Sequence, residues 1–337
     1  MATTIEEVAK KSGVSVATVS RALRGVRSVA PSTRDRVIKV AEELNYVVSP
    51  DVSRQAKGWR DIAVIRPLTD GWFYTTLINT IEFDLLDYNC NVVRYTAHSR
   101  ETQTRTLQHI VSNRLADGII VATLPLSAAD IKILVEAALP VVTIETRTDY
   151  FSSVTIDNVA AGRLATQHLI NLGHQQIGIL TPAKETPLPL STGAARVKGF
   201  RQAMRENGLE LRPELEIVSN YTCEGGAEGM KQMFSRQNPP TAVFALSNEI
   251  AIGAIKTVRD LGLSPGKDIS VIAFDDFEFT AYLDITTIRQ PIERYGETAV
   301  ELIKQQLDQD ANALPQPKHI TFEVELMLRS TTGPLPK

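Results

Sequence analysis

Apolar residues recur at helical spacing in three short blocks at the start of the chain. Val8 and Ala9 form the stripe of the first. Val19, Ala22 and Leu23 share one face of the second, and Val37, Val40, Ala41 and Leu44 line the third. Ser49-Pro50 breaks this pattern, and residues 49–60 read as a linker. From Asp61 the pattern changes. Short β-branched runs (Ile62–Ile65, Asn91–Tyr95, Gly118–Ala122, Val141–Ile144, Gln176–Leu180, Thr241–Leu246, Ile269–Phe274) alternate with amphipathic stretches (Tyr74–Tyr88, Thr102–Asn113, Val159–Leu172, Ala194–Asn207, Ile250–Leu261). Strand–helix alternation predicts parallel sheets covered by helices on both faces. The units are too many for one comfortable sheet, so two similar subdomains are expected. The predicted fold is a small all-α headpiece plus an α/β body of two doubly wound parallel-sheet subdomains.

Each headpiece helix has its own start and stop signals. Thr4 and Glu7 fit a capping box, Gly13 suits the left-handed residue that ends the first helix, and Ser15 can cap the second. Ser32, with Asp35 three residues on, is expected to open the third. On the second helix Ala17, Ser20, Arg21 and Arg24 fall opposite the apolar stripe. Two short helices, a tight turn and a small, basic outer face are the sequence form of a helix-turn-helix, whose second helix enters the DNA major groove. The same pattern also fits a plain three-helix bundle with a solvated basic face.

Composition narrows the class. At 337 residues the chain has room for two or three domains, and its 43% apolar and 22% charged content is that of an ordinary soluble protein. No apolar run approaches the roughly 20 residues of a membrane helix. Met1-Ala-Thr-Thr-Ile-Glu-Glu lacks the features of a secretory signal, and Cys90 and Cys223 have no metal-ligand spacing, so a reduced, cytoplasmic protein is expected. The net charge of −3 hides an asymmetry: residues 1–60 sum to +5 and the remainder to −8. A basic end on an acidic body suits presentation of that end to phosphates.

The run Ile5-x-x-Val8-Ala9-x-x-x-Gly13-Val14-Ser15-x-x-Thr18-Val19-Ser20-Arg21, followed by Val29-x-x-x-Thr33-Arg34-x-x-Val37 and Leu44-x-Tyr46, resembles the headpiece of the LacI/GalR family of bacterial transcriptional regulators. The similarity continues to the C-terminus. It implies a homodimer that sets two recognition helices in successive major grooves of a near-palindromic double-stranded operator. It places Val16, Ala17 and Arg21 on base edges, and Thr4, Ser15, Thr18, Ser20, Arg24 and Thr33 on phosphates. The pair Val16-Ala17 resembles that of the galactose repressors. Many members insert a leucine from the hinge into the minor groove; ungapped alignment from Tyr46 puts Gln55 there, with Ala56 beside it. The implied layout is a headpiece at 1–48, a hinge at 49–60, a body at 61–330 and a tail at 331–337. The body resembles type I periplasmic sugar-binding proteins, with one subdomain at about 61–160 plus 290–318 and the other at about 161–289 plus 319–330. Leu328–Thr331 matches the family's final strand. No leucine heptad follows, so a dimer rather than a tetramer is expected.

The resemblance also implies an effector cleft. Its candidate residues are Phe73, Tyr74, Asp157, Arg196, Ser247 and Asp275, with Arg196 and Asp275 in direct contact with ligand. Ligands in such sheets bind beyond the carboxyl ends of strands. Other roles stay open here: Asp157 and Asn158 fit the cap of the following helix, Phe73 and Tyr74 fit an ordinary core, and Asp276 fits a structural role. Ser247 stands where many members carry asparagine, and Tyr282–Pro291 lacks the common Pro-Pro of the crossover. The expected effector is a sugar or related polyol, with a nucleoside or purine as the alternative. No cofactor and no metal are expected.

Two rival classes have less support. For an enzyme, no G-x-G-x-x-G, zinc spacing or G-x-S-x-G is present, and Gly262–Asp268 is one residue short of a phosphate loop and has Asp where Ser or Thr binds magnesium. Adjacent Asp275 and Asp276 on a strand point to opposite faces, against a carboxylate pair. A secreted solute receptor has the right body but no signal sequence and a surplus headpiece.

Overall fold

The computed structural model describes residues 4–23, 29–44, 46, 59–69, 71–182, 191–308 and 316–335. Arg24, Gln55 and Ala56 lie outside the described residues. Among the described residues the headpiece has three helices, α1 (Ile5–Ser12), α2 (Val16–Leu23) and α3 (Pro31–Glu43). They close on a separate small core of Val8, Val19, Ala22, Leu23 and Val37. Gly13 ends α1 at φ 68°, in the left-handed region expected of it. The start of α3 differs from expectation. Ala30 is its N-cap and Pro31 its first residue, so Ser32 lies inside the helix. Proline needs no N–H at that position and its φ is already helical.

The body alternates as β1 (Arg60–Pro67), α4 (Trp72–Leu86), β2 (Cys90–Ala97), α5 (Arg100–Ser112), β3 (Gly118–Ala122), α6 (Ala128–Ala137), β4 (Val141–Ile144), β5 (Ser152–Ile156), α7 (Asn158–Asn171), β6 (Ile177–Thr181), α8 (Ser191–Glu206), β7 (Glu216–Val218), α9 (Cys223–Phe234), β8 (Ala242–Ala245), α10 (Asn248–Asp260), β9 (Ser270–Phe274), α11 (Glu278–Tyr282), β10 (Thr287–Arg289), α12 (Ile292–Leu307), β11 (His319–Phe322) and β12 (Glu325–Met327). Two six-stranded sheets result, ordered β11-β5-β4-β3-β1-β2 and β12-β10-β9-β8-β6-β7. Every pairing is parallel except β10 with β12. The central strands β3, β4, β8 and β9 are buried at every position, which explains their unbroken apolar runs: helices cover both faces.

The chain passes between the sheets three times: after β5, after β10, and between β11 and β12. The last crossing corrects the expected boundary. Residues 319–322 join the first sheet, where His319 pairs with Ser153 and Phe322 with Ile156. The final strand is also displaced: it is Glu325–Met327, and Leu328–Thr331 follows it as irregular chain. Side-chain bonds hold that segment, with Thr331 Oγ1 donating to the Val271 carbonyl at 2.7 Å and accepting from Thr286 N at 2.9 Å. Strands of three or four residues carry too little periodicity to be read from sequence.

Candidate functional site

The first candidate surface is α2. Ser15 caps it, accepting from Thr18 N at 3.1 Å, and its Oγ lies 2.9 Å from Thr18 Oγ1. Val19, Ala22 and Leu23 are buried beneath, while Val16, Ala17 and Arg21 are exposed and Ser20 is half-buried. Thr4 is exposed and donates its N–H to the Glu7 carboxylate at 3.0 Å; Thr33 is half-buried in the first turn of α3. Small exposed residues at one end of a helix let its backbone approach a groove, and Arg21 supplies a long forked donor. An ion pair of Lys11 with Glu43 (2.9 Å) joins α1 to α3, but both side chains are well exposed and it adds little.

The second is a cavity of about 580 Å³ between the carboxyl ends of the two sets of strands. Phe73 and Tyr74, in the first turn of α4, form one wall. Phe73 meets the Tyr74 ring edge-on at 5.1 Å, and the Tyr74 hydroxyl is bonded to Thr123 Oγ1 at 2.6 Å. Burial raises the Tyr74 pKa well above the usual phenol value. Across the cavity, Arg196 projects from α8. Its guanidinium lies 3.5 Å above the Phe274 ring, donates from Nε to Asn158 Oδ1 at 2.9 Å, and from Nη1 to the Leu246 carbonyl at 3.1 Å. Asn158 in turn donates to Glu145, whose other oxygen accepts from Ile156 N at 3.0 Å. Burial raises the Glu145 pKa, opposed by the Asn158 bond and by Arg196.

Arg196 is held there by helix packing. A methyl on Gly162 of α7 would lie 2.3 Å from the Arg196 carbonyl oxygen, and one on Gly199 of α8 would lie 2.1 Å from that of Val159. The two backbones therefore meet at these glycines, one turn from Asn158 and Arg196. Asp275 follows β9 in the left-handed region, at φ 75°. Its N–H donates to Ile288 O at 2.8 Å and its Oδ1 accepts from Gln290 Nε2, which Tyr295 steadies through a 3.2 Å bond to Oε1. Burial pushes the Asp275 pKa up to about 6, despite the pull of Arg196 and Gln290.

Five of the six expected cleft residues line this cavity: Phe73, Tyr74, Arg196, Ser247 and Asp275. Asp157 does not. Its side chain is exposed and caps α7, accepting from Val159 N at 3.0 Å and Ala160 N at 2.9 Å. Two free N–H groups directly ahead of a carboxylate claim it before any ligand does. Ser247 caps α10 through a 3.3 Å bond from Ile250 N while facing the cavity. Asp276 serves structure, gripped by Arg289 and by Arg329 at 2.7 and 2.8 Å. Sequence reasoning missed Glu145, Tyr221, Glu249 and Gln290. Glu145 and Gln290 each follow a strand directly, and that was the available signal. His168 and His174 hold the C-terminal segment, bonded to Thr332 Oγ1 and to Gly333 O, each at 3.0 Å. Among the described residues no acid, histidine and cysteine cluster is arranged for a metal, and no helix is long and apolar enough to cross a membrane.

Comparison with known proteins finds matches for both the headpiece and the body. Residues 4–49 match the model of bacterial regulatory proteins of the lacI family, and residues 166–332 match that of a periplasmic binding protein-like domain. Catabolite control protein A of Priestia megaterium is 31% identical over 96% of this chain and 98% of its own length. A solved complex of the transcriptional regulator CelR with cellobiose is 25% identical, with a TM-score of 0.69, over 98% of this chain and 99% of that one. The lac repressor dimer, solved on operator with the anti-inducer ONPF, is 26% identical, with a TM-score of 0.73 over the same shares.

Proposed function

The chain belongs to the LacI family of bacterial transcriptional regulators, which bind DNA and respond to small ligands, and from that premise we propose that it is a cytoplasmic homodimeric repressor governed by a sugar or related polyol. The observation that carries the effector reading is the convergence of Arg196 and Asp275, both 6% exposed, on one cavity walled by aromatic rings. A guanidinium and a carboxylate lining one cavity give a hydroxyl-rich ligand an acceptor and donors at once. In the headpiece, Val16, Ala17 and Arg21 read bases, while Thr4, Ser15, Thr18, Ser20, Arg24 and Thr33 meet phosphates and set the register. Ligand closing the cleft changes the angle between first subdomains in the dimer, and with it the spacing of the headpieces.

The sugar-bound relative supports this reading. One observation favours a nucleoside instead: the Phe73 and Tyr221 rings both line the cavity and offer faces for stacking a base. Melting the protein with a panel of sugars and nucleosides separates the two, since a ligand that binds only the folded state raises the melting temperature. Sugars are expected to raise it and to change the affinity for the upstream operator. A response to nucleosides alone excludes the sugar reading. Operator binding itself is expected to fall steeply with salt as condensed counterions are released.

A further inference from the structure

The charge balance of the cleft restricts its ligand further. Among the described residues, six charged side chains line it: Glu145, Glu216, Glu249 and Asp275 against Arg196 and Arg201. Arg201 and Glu216 grip each other through Nε–Oε1 at 2.9 Å and Nη2–Oε2 at 2.5 Å, so their charges are already spent on one another. Three carboxylates then face one guanidinium. Burial favours a proton on Glu145, yet even without its charge Asp275 and Glu249 outnumber Arg196. Arg196 makes no ion pair among the described residues; its partners are the neutral Asn158 Oδ1, Leu246 O and Phe274 ring.

The open lone pairs are on the acids. Asp275 accepts from Gln290 through Oδ1, and its Oδ2 has no donor among the described residues. Glu249 sits in the first turn of α10, and its Oε1 reaches across the cleft to accept from Trp72 N of α4 at 3.2 Å. Its Oε2 has no donor among the described residues either. The Asp275 carboxyl, lifted by burial, fits a site where cation is in short supply.

We propose that this cleft selects uncharged or amine-bearing ligands rich in hydroxyl or amino donors, that it rejects phosphorylated and carboxylated ones, and that Glu249 is a specificity-determining residue. The proposal rests on the cleft being the effector site. A hydroxyl or ammonium group satisfies both open carboxylate oxygens, whereas an anion meets two like charges.

Calorimetry on the full-length protein tests it, using glucose, ribose and adenosine, each beside its phosphate ester, with glucosamine and inorganic phosphate added. Whichever parent compound binds, its ester is expected to bind at least about 100-fold more weakly. Glu249→Gln keeps an acceptor for Trp72 N and removes the charge. It is expected to narrow that gap about 10-fold, because the ester loses a like charge while the parent loses the acceptor that Oε2 offers its hydroxyl. An ester that matches its parent overturns the proposal and leaves the effector reading standing. Binding of adenosine alone, with its ester rejected, overturns the sugar reading and upholds this one. If no parent binds, inorganic phosphate decides. It should not bind the wild type but should bind the Glu249→Gln/Asp275→Asn double variant, where two of the acids that oppose Arg196 have lost their charge. Phosphate on the wild type, or none on a folded double variant, overturns the proposal.

Discussion

Asp275 is held by its surroundings in a costly state. It is 6% exposed, and burial lifts its carboxyl to about 6 from an ordinary 3.8. A carboxyl whose pKa rises on folding binds protons more readily folded than unfolded, so stability falls as pH climbs through this interval. The penalty is fully present above about pH 6 and absent below the unfolded pKa of 3.8. Asp275→Asn retains an acceptor for Gln290 and removes the charge. It is expected to stabilise the ligand-free body near pH 7 by about 3 kcal/mol, with the gain fading toward pH 4. Urea unfolding at both pH values measures this; an equal effect at the two means the carboxyl is not perturbed. At the other end of the chain, Arg21→Ala should weaken operator binding by about 1–3 kcal/mol and random DNA binding very little. Equal losses on both would assign Arg21 to the phosphates.

At the scale of elements, the cleft is only as well formed as the contact of α7 with α8. Asn158 opens one helix and Arg196 lies on the other, and their 2.9 Å bond requires the two backbones to touch. A methyl at Gly199 would come within 2.1 Å of the Val159 carbonyl oxygen. Gly199→Ala is therefore expected to destabilise the body by about 1–3 kcal/mol or more and to lower effector affinity as α8 shifts. The headpiece, which has a core of its own, should keep its fold. Calorimetric melting with effector titration checks both parts. Unchanged effector affinity would show that Arg196 does not depend on this contact.

For the whole molecule, the proposed coupling runs through the link between headpiece and body. Under the ungapped alignment from Tyr46, Gln55 is expected to stand where many family members carry a leucine wedge. Apolar wedges unstack a base step and kink the duplex; an amide bonds to groove acceptors and leaves the stack in place. The operator should then bend less than with a leucine-bearing relative, and Gln55→Leu should both tighten binding and increase the bend. Circularly permuted operator fragments report the angle. A wild-type bend as large as a leucine-bearing relative's removes this role from Gln55.

What the sequence determined alone is whatever local pattern can encode. The headpiece helices, the caps of the first two, and the alternation of strand and helix were legible because periodicity, Gly13 at φ 68° and consecutive buried β-branched residues act within a few positions, whereas Arg196 and Asp275 were expected only from the family resemblance. Tertiary structure decided everything set by sequence-distant neighbours. It turned Asp157 into a helix cap, because its nearest free donors are Val159 N and Ala160 N. It assigned His319–Phe322 to the first sheet through pairing with β5, a contact no local pattern encodes in four residues. It also brought Glu145, Glu249 and Gln290 around Arg196 and Asp275. Among the described residues, the excess of acids over guanidinium groups in the cleft follows from that convergence. Net charge along a chain is a sum over residues, but the charge of a site depends on which of them the fold places together.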